Sequence, residues 1–141
     1  MAVRAYLRGV EALLRGAHPP AATVFKAMLW TAAHAPDAAL HAFRADVSGE
    51  VAPGAGYAAG GQNAPVAVVR DEPNNRVDLV FSAVSWLAPA GQTLTARGVS
   101  YYASTGDAAA DALIAFNDFG ADVSATNQAL NLAAAGLRLQ L

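Results

Sequence analysis

Pro53-Gly54-Ala55-Gly56-Tyr57-Ala58-Ala59-Gly60-Gly61-Gln62 places four glycines in ten residues, more than a helix or a regular strand tolerates without loss of stability. Glycine serves where the backbone takes a positive φ or approaches another segment closely. Before this stretch the first third of the chain reads as largely helical. After it, apolar and polar residues alternate in strand fashion. The stretch is therefore the joint between two kinds of sequence, and its position implies a mostly β chain with an N-terminal helix.

Upstream of the joint, Val3, Tyr6, Leu7, Val10, Leu13 and Leu14 recur at three-and-four spacing, opposite Arg4, Arg8, Glu11 and Arg15. This predicts an amphipathic helix over 3–15 whose arginines form a solvated face. Gly9 weakens that helix by about 1 kcal/mol relative to alanine, and Gly16 with His18-Pro19-Pro20 supplies the stop. Thr23–Thr31 reads as a strand buried on much of both faces, with Lys26 reaching outward. Pro36-Asp37 opens a short segment to Ala45, where Asp37 or its predecessor caps one or two helical turns and Leu40 and Phe43 pack inward.

Downstream, Pro65–Arg70 and Arg76–Trp86 are strand candidates joined by Asp71-Glu72-Pro73-Asn74-Asn75, which is strong turn chemistry. After Pro89-Ala90-Gly91 comes Thr93–Ser104. Strict alternation there puts Leu94, Ala96, Gly98, Ser100 and Tyr102 on one face and Thr95, Arg97, Val99 and Tyr101 on the other. Thr105–Asp111 is a small-residue loop, Leu113–Phe119 a strand ended at Gly120, and Leu137, Leu139 and Leu141 alternate at the C-terminus. Six or seven strands linked by turns pair antiparallel. The expected fold is α+β, a single domain over 1–141 closing as an antiparallel sandwich or a partly open barrel.

The chain has 141 residues, 14 % charged and 55 % hydrophobic, and 36 of its residues are alanine. Alanine is compact and tolerated on surfaces, so the chain is less oily than that fraction suggests. Sparse charge gives weak colloidal protection and implies that part of the surface is covered by copies or partners. A net charge of −2 without a basic run argues against nucleic acid as a partner. Without cysteine, disulfides, thiolate metal sites and cysteine nucleophiles are excluded. No apolar run approaches the roughly 18 residues of a membrane span, so no membrane partner is expected.

Candidate chemistry is thin. Gly54-Ala55-Gly56-Tyr57-Ala58-Ala59 fits the loosest dinucleotide fingerprint, but that fingerprint needs a helix N-terminus after it to hold the pyrophosphate. Here Gln62-Asn63-Ala64-Pro65 and strand-like sequence follow, so no nucleotide or other cofactor is expected. His18, His34 and His41 lack coherent ligand spacing and read as surface or capping residues. The aspartates are scattered and the serines lack a nucleophile-elbow context, so no metal or catalytic residue is expected and the chain reads as non-enzymatic. The residues singled out are Gly54, Gly56, Tyr57, Gly60, Gly61 and Gln62, a conformational loop and candidate interface. Tyr57, an aromatic in a flexible loop, reads either as a docking anchor for a neighbour or as a plug for its own sandwich. The anchor reading expects Tyr57→Ala to leave the isolated fold intact.

Four stretches in order carry a resemblance. They are Gly16-Ala17-His18 leading to Thr23-Val24-Phe25-Lys26-Ala27-Met28-Leu29; Pro36-Asp37-Ala38-Ala39 leading to Asp46-Val47; Gly54 through Gln62; and Leu113-Ile114-Ala115-Phe116-Asn117-Asp118-Phe119-Gly120. In this order the chain resembles a family of small structural proteins encoded among the virion genes of tailed bacteriophages. It departs from that pattern at 87–99 and in the alanine-rich 134–136. The resemblance implies a virion location after assembly in the bacterial cytoplasm. It also implies a capsid decoration or cement role on the major capsid protein, as a homo-oligomer with a trimer as the candidate state. The alternative it leaves open is a tail or head–tail junction component.

Overall fold

The computed structural model describes residues 3–140. In chain order they form β1 (Arg4–Ala5), α1 (Leu7–Leu14), β2 (Val24–Trp30), β3 (Gln62–Asn63), β4 (Val66–Asp71) and β5 (Arg76–Phe81). There follow β6 (Val84–Leu87), β7 (Thr93–Ser104), β8 (Leu113–Thr126), β9 (Ala129–Leu132) and β10 (Ala135–Gln140), and a 3-10 turn spans Arg44–Asp46. The pairings are antiparallel. They make sheets in the orders β1-β8-β7-β2-β3, β10-β5-β4 and β6-β9. The chain is thus mostly β with one short N-terminal helix, and its sheets stay open rather than closing into a barrel.

The five-stranded sheet is the centre because its middle strands are apolar on both faces. From β2, Phe25, Ala27 and Leu29 enter the larger core, where Phe81, Trp86, Leu130 and Leu137 of the two smaller sheets meet them. Phe81 stacks on Tyr101 at 4.2 Å and meets Phe25 edge-on at 6.2 Å, which locks β5 over the central sheet. On the opposite face Met28 and Trp30 join Tyr6, Tyr102, Leu113 and Phe116 under Ala38 and Val47 of the long 31–61 connection. Ser100, fully buried there, exchanges a hydrogen bond with the Tyr6 hydroxyl (2.9 Å) and accepts one from Trp30 Nε1 (3.1 Å).

Several expectations are corrected. Ten strands rather than six or seven occur among the described residues, partly because β1 and β3 are two residues long and leave no period. The α-helix begins at Leu7, not Val3, since Arg4–Ala5 pairs with β8 and buried Tyr6 donates its N–H to the Ile114 carbonyl at 2.9 Å. Leu7 and Leu14 are exposed, so the helical face that packs inward is narrower than its spacing suggests. The 37–45 segment makes turns and no α-helix, and Leu40 and Phe43 are exposed. Asp37 does act locally, accepting hydrogen bonds from the Ala39 and Leu40 N–H groups at 3.0 Å.

Arg76–Trp86 is two strands in two sheets. The break falls at Ser82, whose N–H and hydroxyl both donate to the Pro65 carbonyl (2.9 and 2.8 Å) and turn the chain away. In β7 the register slips between Ala96 and Gly98. Leu94 and Ala96 consequently share the larger core with Val99, Tyr101 and Ala103, while Ser100 and Tyr102 are buried on the opposite face, because a bulge switches which parity faces that core. β8 runs through Gly120, at φ +80, to Thr126 instead of ending there. Gly16 ends the helix as expected, with φ +75, while Leu141 lies outside the described residues.

Gly9 shows why a weak helix former stands mid-helix. A Cβ at this position would sit inside contact distance of the Leu113 carbonyl oxygen of β8, so the glycine permits close helix–strand approach. Gly9→Ala raises intrinsic helix propensity by about 1 kcal/mol. It is nevertheless expected to destabilise the protein by about 1–3 kcal/mol through overpacking, read as a lower urea midpoint at unchanged slope.

Candidate functional site

The glycine stretch forms two consecutive turns, and each glycine has its own reason. Gly54 and Tyr57 exchange backbone hydrogen bonds at 2.9 and 3.0 Å around Ala55 (φ 52) and Gly56 (φ 85). Positive φ at both central residues is the pattern of a type I′ turn. Gly56 also packs so closely on the Leu87 carbonyl that a Cβ has no room. Gly61 approaches the Ala27 carbonyl of β2 in the same way. Gln62 then pairs with Ala27, its side chain exposed on an edge strand.

A polar cluster holds the loop down. Glu50 Oε1 accepts from the Tyr57 hydroxyl at 2.8 Å and from the Gly60 N–H at 2.6 Å. The Tyr57 oxygen accepts from the Leu29 N–H at 3.1 Å, and the Tyr102 hydroxyl donates to the Gly60 carbonyl at 2.6 Å. Burial first, then the adjacent Glu50 carboxylate, pushes the Tyr57 phenol well above its ordinary range, so it stays a donor. Tyr57 is 3 % exposed and its ring tilts against Trp86 at 6.1 Å. The docking-anchor reading of Tyr57 is therefore corrected: it is a plug of its own core. Gly54, Gly56, Tyr57, Gly60, Gly61 and Gln62 do come together, as a fold-closing element in which the Tyr57 hydroxyl and the Gly60 backbone are bonded internally and the Gln62 side chain is exposed. Glu50 and Tyr102, which complete it, escaped sequence reading because neither lies in a recognisable motif.

A second staple closes the 105–111 loop. Asp111, buried, accepts from the Thr105 N–H (2.6 Å) and hydroxyl (2.7 Å) and from Arg44 Nε (2.8 Å). Burial pushes its carboxyl up, but these donors outweigh it and hold it below the ordinary carboxylate range. Arg44 in turn lies over the Tyr102 ring at 5.4 Å, so both staples meet on one aromatic.

The histidines also need correction. His34 is buried, edge-on to Trp30 at 5.1 Å and stacked on His41 at 5.5 Å. His41 Nδ1 accepts the Asp37 N–H at 3.1 Å, a local turn contact. Among the described residues no group of three or more His, Cys, Asp or Glu is placed to hold a metal ion.

One outward face is apolar. A groove of about 150 Å³ runs between α1 and the β10-β5-β4 sheet, lined by Val10, Leu13, Leu14, Val68, Leu79 and Leu139 among others. Leu14 is 76 %, Val68 60 % and Leu139 50 % exposed. The residues were visible in the sequence, but their convergence was not, because helix and sheet meet only in the tertiary fold.

Two outcomes are expected. Tyr57→Phe strands the Leu29 N–H and costs about 1–3 kcal/mol, while Tyr57→Ala costs about 3–5 kcal/mol as an aromatic core truncation; both are read by chemical denaturation of the free protein. For His34, burial and then the neighbouring His41 hold the imidazole below its ordinary 6.5. The folded state thus favours the neutral ring, and this contribution is complete above pH 6.5 and lost as pH falls through the depressed value. Melting temperature should fall between pH 7 and pH 5, and His34→Phe should flatten that fall.

No family model, curated protein or solved structure matches this chain, so the geometry of its surface and the resemblance in its sequence carry the functional reading.

Proposed function

We propose that this chain is a non-enzymatic structural protein of a tailed-phage particle, a decoration or cement protein on the outer surface of the major capsid shell. The observation that carries the reading is the exposed apolar groove between α1 and the β10-β5-β4 sheet. Leucines and valines half or more exposed around one groove mark a surface that gains by being covered. The ordered resemblance to small virion proteins says what kind of assembly would cover it. β4 is the outer strand of its sheet, and its exposed residues 67–70 leave an edge on which a partner strand could pair.

The mechanism is burial without chemistry. Each Å² of apolar surface removed from water contributes about 25 cal/mol, and binding to the assembled shell shifts the particle toward the intact state by mass action. Homo-oligomerisation, with a trimer as the candidate state, would multiply these contacts where capsid subunits meet.

The deciding measurement is copy number in purified particles by quantitative mass spectrometry. A cement protein is expected on the order of hundreds of copies, whereas six, twelve or a similar ring multiple would assign it to the tail or head–tail junction (rough figures from symmetric assembly). Leu14→Glu combined with Val68→Glu should abolish particle association while changing the stability of the free protein by less than about 1 kcal/mol, since both side chains are exposed.

A further inference from the structure

A different surface carries a charged cavity. Sheet register sets Arg4 opposite Phe116, Gly98 opposite Asp118, and Trp30 opposite Gly98, so the same region of β1, β8, β7 and β2 lies together. Residues of the 32–36 loop that leaves β2 line the same open cavity of about 480 Å³, within the roughly 300–1,000 Å³ range of small-molecule sites. The Arg4 guanidinium lies 5.5 Å over the Phe116 ring, and among the described residues no carboxylate pairs with it. Arg97 Nε meets Asp118 Oδ1 at 3.0 Å, and the Gly120 N–H donates to the same oxygen at 2.8 Å. The lining side chains therefore carry two positive charges and one negative.

His34 lines the same cavity. It is 4 % exposed, and neither ring nitrogen meets a hydrogen-bond partner among the described residues. A buried imidazole in that state lacks both a donor and an acceptor to complement it. Its packing is otherwise complete, with Trp30 on one side and His41 on another.

We infer that this cavity binds a small hydroxylated monocarboxylate, of the class of a sugar acid. One unbalanced positive charge matches one carboxylate, and guanidinium forks are the groups that hold carboxylates with defined geometry. Asp118 supplies carboxylate acceptor atoms at the cavity wall, which suit hydroxyl donors on the ligand. A dianion such as a phosphate monoester would place its second charge against Asp118 with no cation to balance it. Phe116, already covered by Arg4, is not offered for stacking, so a saturated ring or chain fits better than an aromatic acid. This inference stands independently of the virion reading.

The test is a ¹H–¹⁵N NMR titration of the full chain with D-glucuronate at neutral pH, with D-glucose and inorganic phosphate as parallel probes. Saturable shifts are expected at the amides of Ala35, Gly98 and Asp118, and at the His34 ring, with glucose silent and phosphate weaker by about tenfold or more. Arg4→Gln, at an exposed position, should keep the melting temperature and weaken glucuronate by about tenfold; Arg97→Gln is read in parallel. No saturable shift up to tens of millimolar overturns the proposal, and so does undiminished binding in both variants. Equal response to phosphate and glucuronate overturns it as well, by reducing the cavity to a general anion-attracting surface.

Discussion

Glu50 accepts two short hydrogen bonds, one from a buried phenol and one from the backbone of the glycine loop, and the closure of the sandwich depends on that carboxylate. Beside it the chain follows the end of β2, with Thr31 and Val51 N–H groups donating to the Gly49 and Leu29 carbonyls at 2.8 and 3.0 Å. Tyr57 ties the same strand from the other side through the Leu29 N–H. A loop this rich in glycine loses much conformational entropy on ordering. Its fixation therefore requires several simultaneous polar contacts and a buried aromatic, and Tyr57 supplies both.

The second constraint is that the central sheet is covered on both faces by unlike material. One face meets the two small sheets, and Val10 and Leu13 of α1, through Phe25, Phe81 and Tyr101; on the other, Tyr6, Trp30 and Tyr102 meet Ala38 and Val47 of the long 31–61 connection. With so many large side chains used to cover β2 and β7, the smaller β10-β5-β4 sheet is left with one side thinly protected. The apolar groove beside α1 is the consequence.

Polar residues divide in the same manner. Glu50, Tyr57, Tyr102, Arg44 and Asp111 form closed sets whose donors and acceptors answer one another, and they stabilise loops. Arg4, Arg97 and Asp118 line an open cavity with an unequal charge count, beside the buried and unpaired His34 imidazole. The contrast separates structural polar clusters from one that has capacity left for a ligand.

The amino-acid sequence by itself determined the class and most element positions. Strand-type composition after a proline pair placed β2 and period-two alternation placed β7 almost to the residue, Asp71 through Asn75 marked the β4–β5 turn, and Gly16 marked the helix end, because these signals act over a few neighbouring residues. Tertiary structure alone decided the rest. The bulge after Ala96 switched which residues of β7 face the larger core, Ser82 divided one apolar run between two sheets by bonding to Pro65, and Gly9 proved to be a packing requirement of β8. Tyr57 became a core residue because Leu29 and Glu50 reach it from other segments. The groove and the charged cavity likewise join residues distant along the chain, from Leu14 to Leu139 and from Arg4 to Asp118, and no local pattern encodes such a meeting.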